Sequence, residues 1–334
     1  GVALTKLPRF LILILSGLVL ADVALSLTET ERSVFARAII LGFIIAVAFL
    51  AYERIADAPL LRFLWRNRND EILLWVSFNR GVTALVLFAW PAVAVLGHRH
   101  IKAAALVWLA VLAVTLFYDS GAAVVGLVAG TIAYVATHFA PRLTITAMAV
   151  LLGILALTAP FMTLNIPDLT KLKTEGEVNH ISRSSYHRLL VWRFASQRIS
   201  EHPVRGWGFE SARLLPGGEV RLDRSEMAMP LHPHNAVIQI WLELGLPGAV
   251  MTGTLMVWVM LAIRRSGVDR MTRSATFAMA TSLLTIASLS YGIWQSWWFA
   301  VLWLAGLFAM VAWRTSGNHR TGSSESTASP TSRS

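Results

Sequence analysis

The sequence contains no cysteine, so neither a disulfide nor a thiol nucleophile is available to it. Charged residues are scarce as well: they make up 14% of the chain, against roughly 25% in a typical soluble domain. The chain also lacks the HExxH, Walker-type glycine-loop and GxSxG motifs and any Cys/His cluster. A paired-acid DxD signature, which many metal-dependent glycosyltransferases use, is missing too. Any group transfer by this chain would therefore proceed without that metal site.

Apolar sequence is abundant instead: 55% of the 334 residues are hydrophobic, and the mean hydropathy is +0.59. A span needs roughly 20 mostly apolar residues, and inside hydrocarbon its backbone must satisfy its own hydrogen bonds. The sequence therefore predicts an all-α integral membrane protein, a polytopic helical bundle with nine spans. These are residues 7–27, 34–52, 72–96, 103–118, 121–139, 143–163, 236–263, 275–291 and 297–313.

The net charge of +10 indicates basic loops that contact anionic lipid head groups. A basic module with interleaved aromatic residues, which nucleic-acid binding would require, is absent from the sequence. We therefore expect membrane lipids as partners and no nucleic acid.

One long polar segment divides the chain. Residues 164–233 contain ten Lys or Arg and eight Asp or Glu, which predicts a large water-facing loop. It separates residues 1–163, the N-terminal transmembrane helices, from residues 234–313, the C-terminal transmembrane helices. Residues 314–334 are rich in Ser, Thr and Gly without apolar periodicity, and they predict a disordered cytoplasmic tail.

Basic residues in the short connections predict the orientation. The positive-inside rule makes the side that carries most of them cytoplasmic; they are Arg99, Lys102, Arg142, Arg264, Arg265, Arg270, Arg273, Arg314 and Arg320. One connection, with Arg54, Arg62, Arg66 and Arg68, disagrees. The large loop then faces the periplasm from a bacterial inner membrane. An aromatic belt at the outer boundary is predicted from Trp294, Trp297 and Trp298.

The strongest local signal, HPHNAVIQIWLELGLPG at residues 232–248, lies where the loop enters the seventh span. Asn235 can cap the helix, and it shares one face with Gln239 and Glu243, which follow at intervals of four. A carboxylate roughly 12 Å into a span is costly, so Glu243 is a candidate functional residue. His234, at the membrane boundary, can act as a base. The alternative is that His234 and Asn235 only cap the helix and that Glu243 pairs with a basic neighbour.

A second signal precedes it in the loop. Residues 184–200 are predicted to form a helix that ends before Pro203, and Arg188 and Trp192 lie one turn apart on it. A glycine-rich turn, PVRGWGF, follows at residues 203–209. Arginine is preferred for phosphate because its planar fork makes bidentate contacts, so Arg188 and Arg193 are candidate phosphate ligands. The alternative is a solvated basic face.

Two further features are identified by residue type. Gly245, Pro247 and Gly248 predict a loosened or kinked helix in the seventh span. Arg80, beside Asn79 near the outer end of the third span, is a third candidate for binding substrate, and the alternative is that it snorkels to the surface.

His234 and Asn235, followed after nine residues by Gly245-Leu246-Pro247-Gly248, resemble the H-[NSQ]-x9-G-x-x-G signature of the O-antigen ligase and polymerase superfamily. The helix with Arg188 and the turn at 203–208 resemble that family's loop. The likeness extends from about residue 70 to 313. It implies a helical membrane fold of about a dozen spans, so about three would precede Gly1.

The resemblance also implies an activity. A glycan would move from an undecaprenyl diphosphate donor to a sugar hydroxyl, which belongs to lipid A–core for the ligases, without metal or other cofactor. His234 would activate or align that hydroxyl, and Arg188 would bind the diphosphate and stabilise the leaving group. We expect further substrate contacts from His232, Asn235, Glu243, Arg193 and Arg80. The chain departs from the family at residues 118–122, where a Ser-Arg pair is expected and no basic residue occurs.

Other activities fit parts of the pattern. A polymerase that extends lipid-linked repeats, or a ligase for another surface glycan, needs the same diphosphate recognition and hydroxyl activation. A transporter of lipid-linked sugar is a third hypothesis. Transporters often have inverted repeats and broken helices at the midplane, whereas this chain concentrates its polar residues in one outer loop, which favours chemistry there.

Overall fold

The computed structural model describes residues 2–64, 71–97, 100–169, 182–221 and 227–325. Within these ranges the chain forms eleven α-helices, which confirms the predicted all-α membrane fold. In chain order they are α1 (Val2–Ser26), α2 (Glu29–Ile55), α3 (Pro59–Leu64), α4 (Glu71–Gly97), α5 (Ile101–Phe117), α6 (Gly121–Phe139), α7 (Pro141–Leu164), α8 (Arg183–Glu201), α9 (Ala236–Arg265), α10 (Arg270–Ala287) and α11 (Ser296–Glu325). A short 3-10 helix, Ser211–Leu214, lies between α8 and α9.

Seven of the described helices are long and apolar enough to cross a membrane, namely α1, α2, α4, α6, α7, α9 and α11. A helix covers each of the nine predicted spans, but two of them do not qualify. The apolar α5 has only 17 residues. Hydroxyl side chains make α10 more polar than a typical span, and it ends at Ala287, four residues before the predicted end.

Two predictions from the sequence are corrected. The tail was predicted to be disordered from residue 314, yet α11 continues to Glu325. An apolar span has already nucleated this helix, and adding residues to an existing helix is much easier than starting one. Residues 326–334 lie outside the described residues. Trp298, assigned to an outer aromatic belt, is only 2% exposed and is therefore packed inside the protein.

The chain divides into two compact units. The first comprises Gly1–Ile14, Ile145–Ala262 and Ala287–Phe299, and the second comprises Leu15–Thr144, Ile263–Ile286 and Ala300–Ser334. The first unit contains α8, most of α9 and the segment after α10, so it contains both sequence signals of the loop.

An apolar core joins α8 to α9 in the first unit. Val191, Ala195 and Ile199 recur every four residues on α8 and pack against Ile238, Trp241 and Leu242 of α9. This spacing gives α8 one buried face, although the helix as a whole is polar. The indole of Trp241 donates to the carbonyl of Ala156 at 2.6 Å and so ties α9 to α7.

Small residues and hydroxyls join the helices of the second unit. Ser282 Oγ of α10 donates to the carbonyl of Gly126 on α6 at 2.8 Å. The same hydroxyl accepts from the indole of Trp90 on α4 at 2.9 Å. A side chain at Gly126 or Gly130 would collide with α10, so these glycines permit the close helix approach that is typical of membrane bundles.

Candidate active site

Asn235 sets the start of α9, as the sequence predicts. Its Oδ1 accepts from the backbone N–H groups of Val237 at 3.0 Å and Ile238 at 3.1 Å. An N-cap side chain of this kind satisfies N–H groups that have no partner within the helix. The cap holds His234 directly at the helix entrance, where α9 meets the loop.

His234 has a defined orientation and tautomer. Its Nδ1 lies 2.6 Å from the carbonyl oxygen of Ser290. A carbonyl can only accept, so Nδ1 carries the proton and the neutral ring has its lone pair on Nε2. The backbone of His234 is left-handed, with φ of 54°, a strained conformation that is uncommon outside glycine and clusters at functional sites.

The surroundings keep the His234 ring neutral. Burial lowers the pKa of His234, and the bond to Ser290 only partly offsets that effect. The positive charges of Arg188 and His187 lower it further. A neutral imidazole with a free Nε2 can accept a proton, which a general base must do.

His232 helps to hold His234 in place. Its side chain is 8% exposed, and its Nδ1 accepts from the backbone N–H of His234 at 3.2 Å. Burial lowers the pKa of His232 to about 3, with smaller electrostatic contributions from the neighbouring His234 and Arg213. A side chain at Gly292 would come within 2.8 Å of the His232 ring. These contacts indicate that His232 positions His234, rather than contacting substrate as the sequence predicts.

The α8 helix brings Arg188 to the same place. Trp192, one turn further along α8, donates from its indole to the carbonyl of Pro233 at 2.8 Å. This bond ties the face of α8 that bears Arg188 to the residue preceding His234. Burial lowers the pKa of the half-buried Arg188, and Tyr291 partly offsets this shift, but a guanidinium stays charged in proteins. A cation and a base therefore lie together.

Arg193 contacts a different partner. Its guanidinium lies 3.6 Å from the carboxylate of Asp168. Arg193 lies five positions after Arg188 on α8, so the two arginines lie on different faces of the helix. Its predicted contact with substrate stays a prediction. The same holds for Arg80, an exposed residue on α4 in the second unit.

Glu243 is 1% exposed and has three donors inside the protein. Its Oε1 accepts from the Gln239 amide at 3.0 Å, and its Oε2 accepts from the Trp294 indole and from the Glu210 backbone N–H, both at 2.6 Å. Gln239 in turn accepts from the backbone N–H of Ile293 at 3.0 Å. The carboxylate thus fastens α9 to two loops, which favours a positioning role over the predicted contact with substrate.

The glycine-rich turn at residues 203–209 forms hydrogen bonds with the backbone at the break in α9. Gly245 has φ of 63° and ψ of −157°, which interrupts the helix. Leu246 N–H donates to the carbonyl of Pro203 at 2.9 Å instead of a carbonyl of its own helix. In return, Trp207 N–H donates to the carbonyl of Leu242 at 2.8 Å. The turn and the break therefore satisfy each other's backbone groups, as hydrocarbon requires.

Proline and glycine make this exchange possible. Pro247 has no N–H to give to the carbonyl of Glu243, and the N–H of Gly208 takes its place at 2.9 Å. A side chain on Gly206 would lie 2.6 Å from the Glu243 backbone, and one on Gly245 would lie 2.3 Å from the Val204 carbonyl. Both positions therefore need glycine.

Comparisons with known proteins agree with this geometry. A family model described as O-antigen ligase matches residues 104–253, a range that includes Arg188, the turn, His234 and the break in α9. Over these residues the chain is similar to the O-antigen ligase family. The sequence resemblance to that family is thereby confirmed.

Curated proteins that are similar to this chain occur in several rickettsiae. A candidate polysaccharide ligase of Rickettsia bellii is 28% identical over 282 residues, covering 81% of this chain and 65% of the relative. Similar proteins of Rickettsia conorii and Rickettsia prowazekii are 26% and 27% identical, covering 82% of this chain and 65% of each relative. The chain thus spans about 65% of the length of the relatives it matches.

Three residues of the site escaped the sequence analysis. Ser290 contributes only its backbone carbonyl, which leaves no residue-type signal. Glu210 contributes only its backbone N–H to Glu243. Trp294 was assigned to the aromatic belt, although its indole binds Glu243 and its ring packs 4.8 Å from that of Phe209. The spacing of polar residues on α9 indicated that Glu243 needed partners but could not name them.

Proposed function

We propose that this protein is a polysaccharide ligase of the bacterial inner membrane. It transfers a glycan from undecaprenyl diphosphate to a sugar hydroxyl of lipid A–core during lipopolysaccharide assembly. The reaction faces the periplasm and uses no metal. The observation that carries this proposal is the pairing of a neutral His234, whose Nε2 is basic, with the charge of Arg188.

The chemistry follows from these two side chains. His234 Nε2 takes the proton of the acceptor hydroxyl as its oxygen attacks the anomeric carbon of the donor. The bond from that carbon to the diphosphate breaks, and its electron pair leaves with undecaprenyl diphosphate. Arg188 binds the diphosphate through its planar fork and stabilises the charge that develops on it.

The similarity to the O-antigen ligase family and the fold support the substrate class. The matched relatives from rickettsiae are named as candidate polysaccharide ligases, so a glycan is the group that we expect to be transferred. The helix that follows His234, α9, is itself long and apolar enough to cross a membrane, so a donor with a lipid anchor can reach the site from the bilayer. The acceptor and donor named above are the ones that the family resemblance implies.

The test expresses the protein in a Gram-negative strain that lacks its own O-antigen ligase. The readout is the ladder of long glycan on lipid A–core after gel electrophoresis. The parent should restore the ladder, and His234→Ala should abolish it while remaining inserted in the membrane. Arg188→Lys keeps the charge but loses the fork, so it should reduce the ladder strongly. Arg205→Lys, an exposed arginine of the same loop, is the matched control and should behave like the parent.

Two outcomes would contradict the proposal. Normal ladders from His234→Ala would remove the assigned base, and normal ladders from Arg188→Lys would remove bidentate diphosphate binding. If the parent instead lengthens lipid-linked chains without loading lipid A–core, the protein is a polymerase that uses the same residues.

A further inference from the structure

A second site lies in the other compact unit, apart from the catalytic residues in sequence. A cavity of about 690 Å³ opens beside the first half of α2, the end of α4 and the Arg314 region of α11. Its lining combines two chemistries, guanidinium groups at one end and aliphatic side chains along α2. The proposed function makes no use of this cavity.

The basic end of the cavity carries uncompensated charge. Its arginines, Arg32, Arg37 and Arg314, donate to the backbone carbonyls of Arg314, Ser33 and Ala24, respectively, at 3.2, 3.3 and 3.2 Å. These acceptors are neutral. Among the described residues that line the cavity, Glu29 is the single acid. Three guanidinium groups against one carboxylate leave two positive charges in excess, and a bound anion would offset their repulsion.

The rest of the cavity is aliphatic and exposed on its outer side. Leu41 and Ile44 line it, and their side chains are 60% and 56% exposed. On a spanning helix such a face contacts acyl chains. From Arg32 to Ile44 is a distance of twelve residue steps, about 18 Å at 1.5 Å per residue. One leaflet of the hydrocarbon core is about 15 Å thick, so the wall matches the depth of one leaflet.

We propose that this cavity binds one anionic phospholipid of the surrounding bilayer. The phosphate contacts Arg32, Arg37 and Arg314, and one acyl chain lies along Leu41 and Ile44. A free phosphate would leave the aliphatic wall without a partner, and a zwitterionic lipid would leave the excess charge in place. The positive-inside rule assigns Arg314 to the cytoplasmic side, where anionic lipids bind basic pockets between helices.

The test measures lipid binding to the purified, delipidated protein by native mass spectrometry. Phosphatidylglycerol is titrated in parallel with phosphatidylcholine, inorganic phosphate and undecaprenyl phosphate. We expect one phosphatidylglycerol to bind more tightly than the other three. Arg37→Gln should weaken that binding about fivefold, since a basic residue near a lipid surface contributes about 1 kcal/mol. Arg37 is exposed, and its described hydrogen bond stays within one turn of α2, so the variant should fold.

Matched controls separate the two halves of the cavity. Arg265→Gln removes an exposed arginine of α9 that does not line the cavity, and it should bind lipid like the parent. Ile44→Trp fills the aliphatic wall without changing charge and should also weaken binding, whereas Leu255→Trp, on the exposed face of α9, should not. The Ile44 variant keeps the test valid if Arg37→Gln fails to fold.

Several results would overturn the proposal. Equal affinity for phosphatidylcholine would remove the role of the arginines. Binding of inorganic phosphate as tight as that of the lipid would remove the role of the aliphatic wall. Preferential binding of undecaprenyl phosphate would identify a polyisoprenoid site instead. Unchanged affinity in Arg37→Gln, with the fold intact, would contradict the assigned contact.

Discussion

The carbonyl oxygen of Ser290 lies 2.6 Å from Nδ1 of His234 and thereby determines which nitrogen of the ring is basic. With the proton held on Nδ1, Nε2 has the lone pair. Burial and the neighbouring cations then keep the ring neutral. Ser290, three residues after the end of α10, thus orients a side chain at the start of α9.

The first prediction concerns the pH dependence of transfer. The pKa of His234 is lowered from its ordinary value of 6.5, so its base form persists at neutral pH. The kcat/KM should stay constant through neutral pH and fall tenfold per pH unit only in more acidic solution. His187→Gln removes a side chain whose electrostatic interaction lowers the pKa of His234, so it should shift this acidic limb slightly upward. A profile that already declines above pH 6.5 would contradict a neutral His234.

Trp192→Phe tests the link between α8 and the His234 segment. The substitution removes the indole bond to the Pro233 carbonyl and keeps most of the ring. It should cost about 1 kcal/mol of stability and lower kcat while the donor KM changes little, because Arg188 and His234 lose their mutual alignment. Trp108→Phe removes a similar bond, to Thr131 at 2.9 Å, and should lower stability without lowering kcat. Equal kcat effects in both variants would refute an alignment role.

Gly206→Ala tests the docking of the turn on the break in α9. The added carbon meets the backbone of Glu243 at 2.6 Å, and the residue has φ of +65°. Gly208→Ala also has positive φ but meets nothing within 4 Å, so it should cost only the backbone strain of about 1–3 kcal/mol. Thermal unfolding of the purified variants should therefore show a clearly larger loss for Gly206→Ala. Similar melting temperatures would mean that the turn can separate from α9 without cost.

His232 predicts an acid-sensitive fold. Burial lowers the pKa of His232 to about 3, whereas an unfolded histidine binds a proton near pH 6.5. Between these values the unfolded state holds more protons, so stability falls as the pH falls, by up to about 1.36 kcal/mol per unit. The melting temperature of the parent should decline over this window, and His232→Gln should flatten the decline. An unchanged slope in His232→Gln would place the acid sensitivity elsewhere.

Local sequence chemistry was sufficient to predict the separate pieces of the site. The helix predicted at residues 184–200 agrees to within one residue at each end with α8, Arg183–Glu201. The Asn235 cap and the break at Gly245 were also predicted. Each depends on residue types within a few positions of one another, where capping, proline and glycine have defined effects.

The assembly of those pieces could not be predicted in the same way. Leu246 bonds with Pro203, and His234 bonds with Ser290, through backbone groups that every residue possesses. The residue types at these positions therefore do not predict the pairing. Glu243 is the clearest example. Its position deep in the predicted span marked it as unusual, but two of the donors to its carboxylate come from loops distant in sequence.

The exchange of hydrogen bonds between the turn and α9 also bears on biogenesis. The turn at residues 203–208 precedes α9 in the chain, so it is synthesised before the helix with the break. The N–H donors of the turn for the carbonyls of Leu242 and Glu243 therefore exist before that stretch of α9 does. Because unpaired backbone groups are costly in hydrocarbon, insertion of α9 into lipid should be coupled to packing of the turn against it.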